Sequence, residues 1–271
     1  MLQLQTLILY LNNLLMKFII LGCGSSMGVP RSDGYFGKCD PKNKKNYRSR
    51  CSALIKTRNE TILIDTSPDL RQQLINNKIK SVDKVFYSHM HADQTHGIND
   101  LRVFYLQKKK TISVYADNPT KKYLMSSFKY CFVNNSQEYP AILRLNSVNK
   151  KLFIKEGKKK IPIEPIKVKH GSVNSICYVI DKKLAYISDV SKINKNDYQN
   201  FKKLKYLVID CLWLRYHPSH LNLESSLKLI NEFKPKKAIL TNLHSDLDYN
   251  FLKKTLPKNV QPAYDGMTLN L

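Results

Sequence analysis

Between Tyr87 and Gly97 the chain reads Tyr87-Ser88-His89-Met90-His91-Ala92-Asp93-Gln94-Thr95-His96-Gly97. Three of the seven histidines and one aspartate fall within this stretch. Neutral imidazoles beside a carboxylate suit zinc, manganese or iron, and ligands drawn from one short loop cost little entropy to gather. The competing reading is a polar loop that happens to be rich in histidine. It requires three of seven histidines to cluster by chance, so a metal-binding loop is the expectation. The run Val85-Phe86-Tyr87 before it is short, apolar and bulky, which predicts a buried strand ending at the histidines.

Other candidate ligands share that placement. His170 follows a strand-like stretch from Ile161 to Val168, interrupted by Pro162 and Pro165. Asp189 ends a predicted hairpin, Ile176 to Ile180 and Leu184 to Ser188, and His244 lies beyond the strand Ala238 to Thr241. His89, His91, Asp93, His170, Asp189 and His244 all sit at or past the carboxyl end of a predicted strand, where ligands of α/β folds collect.

The elements that must position them alternate strand and helix. Strands are expected at Phe18 to Leu21, Ser52 to Thr57, Thr61 to Asp65, Val82 to Tyr87, Ile112 to Tyr115 and Tyr206 to Ile209. Helices are expected from Pro68 to about Asn77, Gly97 to Gln107, Thr120 to Phe132 and Leu221 to Phe233. Gly28 to Arg50 is polar and rich in glycine and lysine, and reads as a long surface loop. No composition break divides residues 16–271, so one α/β domain is expected. Residues 1–15 are apolar but broken by Gln3, Gln5, Asn12 and Asn13, too short to span a membrane and without the charge pattern of a signal peptide. They read as an extension or an upstream start ahead of Met16.

At 271 residues, with 42% hydrophobic and 24% charged content, the composition is that of a globular protein. The formal net charge of +24 is unusual. Only eight of the 45 basic residues are arginine, the better residue for bidentate phosphate contacts, which argues against a dedicated nucleic-acid face. General attraction for anionic substrates remains. The six cysteines form no C-x-x-C pair and point to reduced, buried thiols in a cytoplasmic protein.

The pattern His89-x-His91-x-Asp93, then His170, then Asp189 after an apolar strand, resembles the metallo-β-lactamase superfamily. Leu21-Gly22-Cys23-Gly24-Ser25-Ser26-Met27-Gly28-Val29-Pro30, Ile64-Asp65-Thr66, Ile209-Asp210-Cys211 and Tyr264-Asp265-Gly266-Met267 resemble its phosphoribosyl cyclic-phosphate phosphodiesterase branch. The resemblance implies a four-layer αβ/βα sandwich of two mixed sheets flanked by helices. It implies two divalent ions, zinc or manganese. His89, His91 and His170 would hold one ion, Asp189 would bridge, and Asp93 would bind the second and belong to the catalytic set. His220 would protonate the leaving oxygen. The family pattern has histidine where this chain has Gln94 and Asn242, and His96 or His244 would have to substitute. His244 is the expected substitute, because a strand points residues two apart the same way. The clustered cysteines of a structural zinc site are missing, with only Cys39 in that region.

The chemistry implied is hydrolysis of a small, anionic, cyclic or linear phosphodiester. Two cations about 3.5–4 Å apart generate hydroxide at neutral pH and clamp the attacked phosphoryl oxygens. Asp65 is expected to orient the metal loop by hydrogen bonds. Arg48, Arg50 and Arg102 are either phosphate contacts or ordinary surface arginines, and His217 reads as a plain loop residue. The alternatives are RNA 3′-end processing or thioester hydrolysis on the same ions, or a nucleic-acid-binding protein whose metal site has decayed. No membrane partner is expected, and a homodimer is among the assembly states expected.

Overall fold

The computed structural model of the chain describes residues 16–134, 139–148 and 152–271, and the expected extension at 1–15 lies outside them. The first sheet holds β1 (Lys17–Gly22), β2 (Ser52–Lys56), β3 (Thr61–Ile64), β4 (Lys84–Phe86), β5 (Ile112–Ala116) and β6 (Leu143–Ser147). The second holds β7 (Leu152–Glu156), β8 (Lys159–His170), β9 (Val173–Ile180), β10 (Leu184–Ile187), β11 (Tyr206–Asp210), β12 (Lys237–Thr241) and β13 (Val260–Pro262). The last strand, β14 (Met267–Asn270), returns to the first sheet and pairs antiparallel with β1. Each sheet has seven strands, ordered β14-β1-β2-β3-β4-β5-β6 and β13-β12-β11-β10-β9-β8-β7.

Alternation along the strands explains the layering. Phe18 and Ile20 of β1, Ile62 and Ile64 of β3, Tyr178 and Ile180 of β9 and Val208 of β11 meet in one core between the sheets. The residues between them face outward. Ile19, Leu21 and Leu63 join a second core under helices Leu70–Asn76, Arg102–Lys108 and Asn118–Ser127. Cys177, Val179, Leu207 and Ile209 join a third under helices Leu223–Phe233 and Tyr249–Thr255. Strands covered on both faces read as unbroken apolar runs, as these do. Two sheets between two helical layers are the expected four-layer sandwich. All six cysteines are buried and free.

Strand direction decides where the ends go. β8 and β10 both run antiparallel to β9, so they point the same way, and β10, β11 and β12 are mutually parallel. The carboxyl ends of β8, β10, β11 and β12 therefore lie on one edge of the second sheet. The first sheet is tied to that edge by hydrogen bonds across the interior: Ile176 N–H donates to Ser88 O at 2.8 Å, and Tyr178 Oη–H to Tyr87 O at 2.7 Å.

Several boundaries differ from expectation. β8 runs unbroken through Pro162 and Pro165 for 12 residues, because proline's fixed φ suits extended backbone and forfeits only its own N–H. The helix expected at Thr120 to Phe132 is split at Phe128 (φ −131°), just after Ser126-Ser127, which have modest helix preference. The helix expected from Gly97 opens as a 3-10 turn, Ile98–Leu101, before its α-helical part, Arg102–Lys108. Strands β6, β7, β13 and β14 and helix Tyr249–Thr255 were not anticipated. Among the described residues no helix is long and apolar enough to cross a membrane.

Gly97 closes the histidine loop against the turn after β3, its N–H donating to Thr66 O at 2.9 Å. A Cβ there would stand 2.0 Å from Ser67 O and 2.8 Å from Leu70 Cβ, backbone and core that cannot give way cheaply. Gly97→Ala is expected to cost about 1–3 kcal/mol, read as a lower urea midpoint with an unchanged slope. An unaltered midpoint would show that this approach is slack.

Candidate metal centre

The site is built on the turn that follows β3. Asp65 is fully buried and takes a left-handed backbone (φ 63°), a conformation aspartate tolerates better than most residues. Its N–H donates to Phe86 O at 2.9 Å, and its Oδ1 accepts the Ser88 N–H at 2.7 Å. Thr66 N–H donates to Gln94 O at 2.7 Å, and the Thr66 hydroxyl to Thr95 O at 3.0 Å. The loop carrying the histidines is thereby laced to a second loop at its start, middle and end. Burial pushes the Asp65 carboxyl well above its usual range.

Three imidazoles from two sheets converge. His89 Nε2 lies 2.9 Å from His91 Nδ1, and His170 Nε2 lies 3.2 Å from the same atom. His170 Nδ1 donates to Ser219 O at 2.7 Å, so its Nε2 carries a lone pair into the cluster. His89 Nδ1 contacts Ser88 Oγ at 3.0 Å, leaving its Nε2 for the cluster too. Burial drives all three rings toward the neutral form, with His89 held down at about 3. Neutral rings aiming lone pairs at one point repel unless a cation stands between them. Nitrogens bound tetrahedrally to zinc lie about 3.3 Å apart, close to the spacing seen here. The residues present fit a divalent cation.

The carboxylates lie on the far side. Asp189, at the end of β10, is 2% exposed, and its ligand atom lies within 4.8 Å of those of His170 and His220. Burial works against its charge, but His89, His220 and His170 outweigh it and hold Asp189 below the usual carboxylate range. Asp93 is pushed up to about 6 by burial and by the Asp189 charge. Gln94 sits between them. Turned one way, its amide nitrogen donates to Asp189 Oδ2 at 3.3 Å; turned the other, to Asp93 Oδ1 and Oδ2 at 2.7 and 3.2 Å.

His220 faces this group from the loop after β11. Its Nδ1 donates to Asp210 Oδ2 at 2.8 Å, and its ring packs edge-on against His170 with centroids 4.6 Å apart. Burial opposes its protonation, yet Asp210, with help from Asp189 and Asp93, pushes it up to about 9. Asp210 itself is raised to about 6 by burial against the pull of His220. Sequence reasoning gave Asp210 no role; its signal was an acid at the carboxyl end of an apolar strand. The Ser219 carbonyl carried no signal at all.

Other expectations place differently. His244 does not join the cluster: its ring lies over Trp213 with centroids 5.0 Å apart, and its Nδ1 accepts from Asp246 N–H at 3.2 Å. The reason is Asn242, whose left-handed φ of 61° ends the strand and breaks the two-residue alternation that would have aimed His244 inward. His96 is turned out to the Tyr123 hydroxyl at 2.8 Å. Arg48 is buried against Asn46 Oδ1 and His244 O, Arg50 forms a two-point pair with Asp69, and Arg102 lies over the Tyr139 ring. His217 holds its own loop through Ser219.

Comparison with known proteins agrees with this architecture. Residues 60–242 match the beta-lactamase superfamily domain. A PhnP-family diphosphatase of known structure is similar with a TM-score of 0.83 and 28% identity, over 94% of this chain and 97% of that one. Zinc-bound PqqB from Methylobacterium extorquens shares the fold at a TM-score of 0.71 and 14% identity, over 94% of this chain and 100% of that one. A Porphyromonas gingivalis protein named octanoyltransferase is 29% identical over 256 residues, 93% of this chain. The chain spans about half (51%) of that relative's length. The family match covers more than half of the residues and both sheets fold as the resemblance implied, so this chain belongs to the beta-lactamase superfamily and has the fold of its metal-dependent hydrolases.

Proposed function

We propose that the chain hydrolyses a small phosphodiester at a divalent cation held by His89, His91 and His170. The observation that carries this reading is the convergence of the His89, His91 and His170 rings beside His220, whose ring packs on His170 and whose Nδ1 is held by Asp210. A bound cation would supply Lewis acidity toward a phosphoryl oxygen and a lowered pKa for a water. The protein's own part is positional. The Asp65 and Thr66 contacts fix the histidine loop, the Ser219 carbonyl fixes the tautomer of His170, and Asp189 brings permanent negative charge to the cation. Asp210 holds His220 protonated and fixes its Nδ1, leaving Nε2 to donate to an oxygen that gains charge as its bond to phosphorus breaks. Similarity to a PhnP-family diphosphatase supports phosphoester chemistry, and the net charge of +24 suits an anionic substrate in the cytoplasm. A thioester or another ester is the second reading, motivated by the partial match to an octanoyltransferase.

Four outcomes test this. Chelation should abolish hydrolysis of bis-p-nitrophenyl phosphate, with recovery on adding zinc or manganese, and Asp189→Ala should lower it more than about 100-fold, beyond the loss typical of outer partners. Retention of the phosphodiester rate in either case, or turnover of thioesters alone, overturns the assignment. His220→Ala should slow a diester with an alkoxide leaving group about 10²–10⁴-fold while barely affecting the p-nitrophenyl ester, whose leaving group needs no proton. Equal losses on both would remove His220 as the donor. The donating form of His220 exists below its raised pKa, so the alkoxide rate should fall as pH rises through about 9. A p-nitrophenyl profile with the same falling limb would point to a different group.

A further inference from the structure

The half of the site beyond the three imidazoles is arranged for hydrogen bonding rather than for a second cation. Asn242 is 2% exposed, and its Nδ2 lies near three oxygens, Ser188 O at 3.1 Å, Asp210 Oδ1 at 3.2 Å and Asp189 Oδ1 at 3.4 Å, and 3.1 Å from His220 Nδ1. An amide nitrogen is a donor with no lone pair free for a metal, so the atom that Asn242 turns toward Asp189 satisfies the carboxylate instead of sharing it. Gln94, 1% exposed, stands between Asp93 and Asp189, and in either orientation its N–H reaches one of them. The imidazoles that could have restored a nitrogen-rich second set are engaged elsewhere, His96 with Tyr123 and His244 with Trp213. One half of the site therefore offers three converging imidazole nitrogens; in the other, Asp189 receives the Asn242 amide, Gln94 reaches Asp189 or Asp93 according to its orientation, and His220, within 4.8 Å of Asp189, has its Nδ1 committed to Asp210.

We propose that this chain holds a single cation, at His89, His91 and His170, and that the amides of Gln94 and Asn242 take the place of a second ion by hydrogen bonding to Asp93 and Asp189. The proposal rests on the metal-centre reading above and concerns only the number of ions. The Asn242 nitrogen is turned toward Ser188 O, Asp210 Oδ1 and Asp189 Oδ1, so binding a second ion there would mean breaking these contacts. Back-substitution to imidazole at the two amide positions removes those donors and supplies lone pairs in their stead.

The test is elemental analysis of the full chain after loading with excess zinc, and separately manganese, followed by gel filtration. The expected content is one ion per chain in the wild type, loss of that ion in His170→Ala, and a second equivalent gained in the Gln94→His, Asn242→His double variant. Two ions per wild-type chain with either metal overturn the proposal, and if phosphodiesters are still hydrolysed the functional reading survives. One ion per chain with no hydrolysis of any phosphodiester overturns the functional reading and leaves this one standing. A double variant with native circular dichroism that still holds one ion overturns the role given to the amides. Should that variant fail to fold, the wild-type ion count decides alone.

Discussion

Everything in the site depends on two hydrogen bonds that cross between the sheets. β9 gives the Ile176 N–H to Ser88 O and the Tyr178 hydroxyl to Tyr87 O, so the backbone just ahead of the histidine loop is bonded to the opposite sheet. Packing of apolar faces sets sheet separation only loosely, whereas a bond of 2.7–2.8 Å fixes one point of contact closely. His170 ends β8, the immediate neighbour of β9, so the same contact that places Ser88 also places His170 relative to His89 and His91. Rings from residues far apart in the chain reach 2.9–3.2 Å of one another because the frame beneath them is bonded across the core.

Charge is organised around burial. Imidazoles deep in the site are kept neutral, which makes them ligands; the one imidazole backed by a buried carboxylate, His220 on Asp210, is kept charged, which makes it a donor. Two carboxylates in one buried space cannot ionise equally, and the site separates them: Asp189 is surrounded by rings and stays low, while Asp93 is raised. One residue type thus serves opposite ends according to what stands behind its second nitrogen, a carbonyl for His170 and a carboxylate for His220.

Much of this was legible in the sequence. Apolar runs such as Ile62-Leu63-Ile64 and Leu207-Val208-Ile209 announce strands covered on both faces, and ligand-type residues at their ends announce an edge where chemistry collects. His244 was misplaced because strand parity holds only while the backbone stays extended, and no pattern signalled that Asn242 would turn left-handed. Asp210 and the Ser219 carbonyl went unassigned because orienting a ligand requires no motif, only proximity created by the fold. Strands β6, β7 and β14 were missed for a related reason. They are short and lie toward the sheet margins, where one face meets solvent and the apolar signal fades: Leu152-Phe153-Ile154 alternates buried with exposed, as does Met267 to Asn270.

The return of β14 to the first sheet has a consequence for assembly order. Among the described residues β1 pairs with β2 on one side and with β14 on the other, and Leu271 N–H reaches Met16 O at 2.9 Å. Asp265, just ahead of β14, also closes on Cys23 N–H and Ser49 N–H, pinning the long loop that leaves β1. A chain emerging from the ribosome therefore carries an open β-edge and an unfastened loop until Asp265 and β14 have followed, and such non-local pairing is the slow kind that leaves edges exposed to aggregation. Expression conditions that slow aggregation should matter more for this protein than its dense core alone would suggest.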